Sequence, residues 1–170
     1  LKAGIYSTPW TTSYAGFVGG SSDDPQGAWQ RPKTPRDGRR FGRHFFETND
    51  ARQWAEWGFD YVKYDWSVDK VEVTRRMADA LAACDRDIVL ELSNSVPLAQ
   101  AAEHTRLAQL SRTTGDLVDL WDRSQMDAGL RRWAVGIREV WLAHDAWAPY
   151  QRPGHWNHAC NLRIGLLGGW

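Results

Sequence analysis

The sequence has 170 residues, 21 of them basic and 21 acidic, so its formal net charge is zero. The length suffices for one domain with a sizeable core, and the charge balance gives no electrostatic reason to expect nucleic acid or an anionic membrane as a partner. No apolar run approaches the ~20 residues of a membrane helix, and two cysteines, Cys84 and Cys160, make at most one bridge, so a disulfide framework is excluded and the compartment stays open.

Residues 2–7 read as a short strand, without the basic start and long apolar stretch of a signal peptide. Residues 8–46 are rich in Gly, Pro, Ser and Asp and predict a long irregular stretch, functional or disordered. Asn49 or Thr48 is placed to cap a helix carrying Ala51, Trp54 and Ala55 on one face, and Gly58 ends it. Residues 60–66 predict the next strand. Val73, Met77, Ala80, Leu81 and Cys84 recur at helical spacing and predict a helix over 69–84. Residues 87–93 predict a strand. Ser95 and Pro97 suit the N-cap and first turn of a helix through residue 110. Residues 111–117 predict a strand followed by a loop. Residues 125–143 predict a helix with Leu130, Trp133, Ala134, Ile137 and Trp141 on its face, and residues 149–157 lead into a final short strand.

Strands separated by single helices mean a parallel α/β architecture, either a doubly wound sheet or a (β/α)8 barrel. A complete barrel needs about 250 residues. This chain supplies roughly five strands, so it reads as a fragment, a partial barrel. Tryptophan is the compositional outlier, with 11 residues. Most should be core; sugar sites also use aromatic rings, and composition does not choose between the two.

In parallel α/β folds, sites lie at the carboxyl ends of strands. In the strand YVKYDW, Lys63 and Asp65 point to one face. Two opposite charges there are either a buried ion pair or functional, and Lys63 would favour the ionised Asp65. Asp116 closes the segment SRTTGD at a second strand end. Two intervening βα units bring both carboxylates to one rim, which suits glycoside hydrolysis, and a retaining enzyme would hold them about 5–6 Å apart. Asp119 and Asp122 read as a solvated loop or helix start, and Glu91 as an interior or structural charge. His44, His104, His144, His155 and His158 lack zinc-ligand spacing, although His155 and His158 flank a strand end where they could touch a ligand. There is no P-loop, GxGxxG or GxSxG, so neither metal nor cofactor is implied.

The run GFDYVKYDW at 58–66 resembles the nucleophile segment of glycoside hydrolase family 27, the α-galactosidases and α-N-acetylgalactosaminidases. KAGIYS at 2–7, YAGFVGGS at 14–21, DARQWAEWGFDYVKYD at 50–65, RTTGD at 112–116 and PGHWN at 153–157 are similar to family segments in the same order. The resemblance implies a (β/α)8 barrel with a C-terminal β domain. This chain would supply roughly strands 3 to 7, without the early strands, the last strand or the β domain. It implies a retaining exo-glycosidase working on terminal α-galactosides by double displacement, with Asp65 as nucleophile and Asp116 as acid/base. Lys63 and Arg112 match residues that bind sugar hydroxyls, Tyr6 a substrate-contacting tyrosine, and Trp156 lies in the matching PGHWN segment. With Pro97 on the family's proline, Ser95 falls where members choose between 2-hydroxyl and 2-acetamido sugars; animal-type α-galactosidases carry Glu there and N-acetylgalactosaminidases Ser.

Three departures stand out. A disulfide frequent in the family would join positions that here are Tyr14 and Ser67. The family's WNDPDML reads WNHACNL at 156–162, with Cys160 and Asn161 in place of Asp and Met. The paired-Asp segment that grips the galactose 4- and 6-hydroxyls is not in the chain. The resemblance therefore leaves open an α-N-acetylgalactosaminidase, a β-L-arabinopyranosidase or a non-catalytic carbohydrate-binding relative. The implied partner is a terminal galactose-type sugar, and the family suggests a secreted, periplasmic or lysosomal setting; oligomeric state is not specified. Cys84 and Cys160 are expected to be unbridged. Residues 1–170 alone are expected not to hydrolyse an aryl α-galactoside, because an open barrel exposes its interior and edges.

Overall fold

A computed structural model of the chain describes residues 1–160. In chain order it contains β1 (Gly4–Ser7), β2 (Ser21–Ser22), β3 (His44–Phe45), α1 (Glu47–Glu56), β4 (Tyr61–Asp65), α2 (Val71–Ala82), β5 (Val89–Ser93), α3 (Ala101–Leu107), β6 (Leu110–Arg112), β7 (Asp116–Leu117), β8 (Ala134–Val135), α4 (Ile137–Trp147) and β9 (Trp156–His158). Among the described residues, β1, β4, β5, β6 and β9 form one sheet in that order, every pair parallel. The α/β class expected from the alternation is therefore present, and the strand order never reverses.

Period-two alternation gives this sheet two unlike faces. Val62, Tyr64, Leu90 and Leu92 point one way and are almost wholly buried. They pack in one core with Ala51 and Trp54 of α1, Val73, Met77, Ala80 and Leu81 of α2, and Ala101 of α3. Those helical residues recur every three to four positions, so each helix lays one apolar stripe on the sheet. The opposite face carries Tyr6, Lys63 and Glu91 side by side, in register with Leu110 and Trp156. Beyond them Asp65, Ser93, Arg112 and His158 form the row at the carboxyl ends.

Several boundaries differ from the sequence reading. The first helix begins at Glu47, so Thr48 and Asn49 lie inside its first turn and no side chain caps it. Glu47 is instead buried and accepts from Arg76 Nε at 2.9 Å, tying α1 to α2. Gly58 does end α1: its φ of +82 is left-handed, and nothing crowds its Cβ position, so the dihedral alone asks for glycine. Ser95 caps nothing; the chain enters α3 through a 3-10 turn, Leu98–Gln100, and leaves it at Leu107. The stretch 8–46 is ordered by β2 pairing with β3, a Thr12–Val18 bridge and a 3-10 turn, Pro35–Gly38, boxed by Thr34 and Asp37.

The strand expected over 111–117 is split, with β6 in the main sheet and β7 paired to β8. The helix expected over 125–143 becomes two 3-10 turns, then β8, then α4. Short polar side chains explain the loss: Asp122 and Gln125 box one turn, and Asp127 accepts from the amides of Gly129 and Leu130. Trp133 and Trp141 are correspondingly exposed, at 45% and 73%. The last strand begins at Trp156, and Asn161 and Leu162 lie outside the described residues. Cys84 and Cys160 are both free.

Candidate active site

Asp65 is the last residue of β4 and is buried. Both its oxygens have donors. Tyr6 Oη donates to Oδ2 at 2.9 Å, and Asn94 Nδ2 donates to Oδ1 at 2.9 Å. Tyr6 comes from β1, in register with Lys63 rather than Asp65, and its length carries the hydroxyl to the next row. Asn94 follows β5 in a left-handed conformation, φ +64. An extended residue there would face away from Ser93; the left-handed turn, which Asn tolerates, brings its amide back to Asp65. The same Nδ2 donates to Tyr14 Oη at 2.8 Å. Val68, shortly after β4, is also left-handed at φ +45, costly for a β-branched side chain, so the turn beyond Asp65 is strained.

Burial pushes the Asp65 carboxyl above its ordinary value. The Tyr6 hydrogen bond and the Lys63 ammonium pull it down, Asp116 adds to the rise, and Arg112 opposes it. The expected help from Lys63 is thus present in sign, but desolvation outweighs it. Burial also lifts the Tyr6 phenol, and the Asp65 charge and hydrogen bond add to this, so Tyr6 is a neutral donor.

Asp116 opens β7. Arg112 Nη2 donates to Asp116 Oδ1 at 2.9 Å and to the Thr114 carbonyl at 3.3 Å. The guanidinium is buried, whereas the Asp116 side chain is 40% exposed. A buried guanidinium without this partner would be costly, so Arg112 is committed to Asp116 as well as to the polar face. Gly115 makes the turn possible, because a Cβ there would sit 2.3 Å from the Trp133 carbonyl oxygen.

Below this row, Glu91 is buried and receives the Tyr61 hydroxyl and a hydrogen bond with His158 Nδ1. Burial opposes its ionisation, but His158, Tyr61 and Lys63 together hold its carboxyl below the usual range. Glu91 is thus an ionised interior charge. His155, offered as a ligand contact, is fully buried with Nδ1 on the Ala108 carbonyl at 2.6 Å, a structural role. Asp122 caps a turn, as expected.

Tyr6, Lys63, Asp65, Arg112 and Asp116 therefore gather at one end of one sheet face. Ser95 is exposed next to Asn94, and it is Asn94 that reaches Asp65. Trp156 shares the face but is 52% exposed on the outermost strand. At the usual spacing it stands about 14 Å from β4 across three strand intervals. Asn94 and Tyr14 were missed by sequence reasoning. Asn94 had a signal, a polar residue directly after Ser93, which closes β5 as Asp65 closes β4. Tyr14 had none, since a folded loop delivers it.

No model of a known protein family matches the chain. It is similar to an α-galactosidase of Oryza sativa subsp. japonica, 27% identical over 169 residues, covering 97% of this chain and 32% of that protein. A crystal structure of a putative α-galactosidase from Bacteroides fragilis superposes with a TM-score of 0.70 at 25% identity, covering 93% of this chain and 30% of that one. A family 27 β-L-arabinopyranosidase from Geobacillus stearothermophilus, solved with arabinose, gives a TM-score of 0.60 at 24% identity, covering 99% of this chain and 42% of that one. The chain spans about a third of the length of the curated relatives it matches over nearly its whole extent.

Proposed function

We propose, from the resemblance of this chain to the α-galactosidases of glycoside hydrolase family 27, that it is the central segment of a (β/α)8 barrel and carries the catalytic pair of a retaining exo-glycosidase. Five parallel strands in unbroken chain order support the barrel, since a barrel wall is wound that way. The segment corresponds to roughly strands 3 to 7. The substrate is a terminal α-galactoside.

The observation that carries this reading is the shared rim, with Asp65 gripped by Tyr6 and Asn94 and Asp116 paired with Arg112. Asp65 attacks the anomeric carbon while Asp116 protonates the departing glycosidic oxygen, leaving a glycosyl ester on Asp65. Asp116, now a carboxylate, takes a proton from water as that water attacks, and Asp65 is released. Two inversions give net retention. Tyr6, Lys63, Ser95 and Arg112 supply sugar contacts, and Trp156 adds one from farther out on the same face. The test is the full-length protein assayed on aryl α-galactoside, α-N-acetylgalactosaminide and β-L-arabinopyranoside, with the anomer of the first-formed sugar followed by NMR. Retained α-galactose is expected. An inverted product, or turnover of none of the three, overturns the proposal.

The electrostatics add a pH prediction. Asp65 must be ionised to attack, and burial has raised its pKa. The acid limb of kcat/KM should therefore lie above the ordinary aspartate value of about 3.9. Lys63 lowers that pKa, so Lys63→Met should raise it and move the acid limb to higher pH. A limb that stays put or moves down in Lys63→Met contradicts the assigned role of Asp65.

A further inference from the structure

We infer that Tyr14 is a positioning residue for the Asp65 carboxylate, bracing the Asn94 side chain that hydrogen-bonds to it. This rests on the reading of Asp65 as nucleophile. The brace is the phenol oxygen. Asn94 Nδ2 has two N–H bonds, one directed to Asp65 Oδ1 at 2.9 Å and the other to Tyr14 Oη at 2.8 Å. A primary amide is free to turn about its last torsion. Asn94 is only half-buried and sits in a left-handed turn beside the exposed Ser95, so packing alone does not hold it. With Tyr14 Oη accepting one N–H, the other is aimed at Asp65 and the amide oxygen is kept away from the carboxylate.

The other oxygen of Asp65, Oδ2, accepts from the Tyr6 hydroxyl.

Tyr14 is itself held. Its ring meets Trp10 edge-on, with centroids 5.2 Å apart, and the Arg39 guanidinium lies over it at 4.4 Å. Its carbonyl accepts from Arg39 Nη2 at 3.5 Å. A tight turn closed by Ser13 N donating to the Phe17 carbonyl at 2.8 Å fixes the loop around it. Burial and the nearby Asp65 charge keep the phenol neutral, so its oxygen stays an acceptor that carries its own proton.

The consequence is on chemistry more than on binding. A carboxylate held at both oxygens presents its lone pairs in one orientation, whereas a wagging one reaches the attacking geometry only part of the time. Tyr14→Phe keeps the ring, and with it the Trp10 and Arg39 contacts, and removes only the acceptor. In the full-length protein it should lower kcat about tenfold, matching one aligned hydrogen bond of about 1.4 kcal/mol, with little change in KM. It should also move the acid limb upward, because Asp65 loses an oriented donor to its ionised form. Asn94→Ala should do the same, and the double variant Tyr14→Phe/Asn94→Ala should be no worse than Asn94→Ala alone. An unshifted limb, or fully additive losses, would overturn the relay. Asp65→Asn run in parallel separates the two ideas: if it keeps full activity the nucleophile assignment fails, and if it is dead while Tyr14→Phe matches the parent protein only the Tyr14 inference fails.

Discussion

In the full-length protein, Asp65→Gly should lower kcat on an aryl α-galactoside by about 10⁴-fold or more, and azide should restore part of it. The loss is that of a covalent nucleophile. The rescue follows from the geometry around Asp65. Removing a buried carboxylate leaves a small space still faced by the Tyr6 hydroxyl and the Asn94 amide, with Lys63 close enough to act on charge there. Those donors suit a small anion. Azide entering from that side makes a single displacement, so the product should be β-galactosyl azide, of inverted configuration. Circular dichroism of the variant checks that the strand is intact. Near-parental turnover without azide would remove Asp65 from the mechanism, and an α-configured azide product would place the nucleophile elsewhere.

The second large effect is expected at Asp116. Asp116→Asn should cost about 10²- to 10⁴-fold on a substrate whose leaving oxygen needs a proton, and far less on one with an activated dinitrophenolate leaving group. Asparagine is preferred to alanine here because Arg112 is buried, with a side chain only 3% exposed, and uses Asp116 as a partner. Truncating the partner of a buried charge costs about 3–5 kcal/mol, so alanine would mix a folding defect with a catalytic one. Azide should again restore turnover, but on the glycosyl ester of Asp65, after one inversion has already occurred. Its product should be the α-azide. Opposite azide anomers from the two variants would assign the two carboxylates to opposite faces of the sugar. Equal losses on both leaving groups would show that Asp116 is not the proton donor.

Much of this arrangement was legible in the sequence because it depends on local periodicity. The apolar positions Val62, Tyr64, Leu90 and Leu92 alternate with polar ones, so the strands and their buried face follow from a period of two. Val73, Met77, Ala80 and Leu81 follow the helical period and lie in the core as read. Lys63 and Asp65 on one face, Gly58 as a helix stop and Asp65 at a strand end are consequences of the same short-range rules.

Other features are decided by groups far apart in sequence. Residues 111–117 are equally extended throughout as a string of letters, and only the pairing of β7 with β8 cuts them into two sheets. The pattern over 125–143 has helical spacing, but Asp122 and Asp127 bind nearby amides, and Ala134–Val135 joins Asp116–Leu117, so the helix gives way to turns and a strand. The left-handed turn at Asn94 brings its amide back to Asp65, which no periodicity encodes. Tyr14 meets Asn94 across 80 positions because an ordered loop folds over the strand ends. The rise in the Asp65 pKa belongs to the same group: Lys63 nearby is a matter of spacing, whereas desolvation depends on everything packed around the carboxylate, and it is the larger effect.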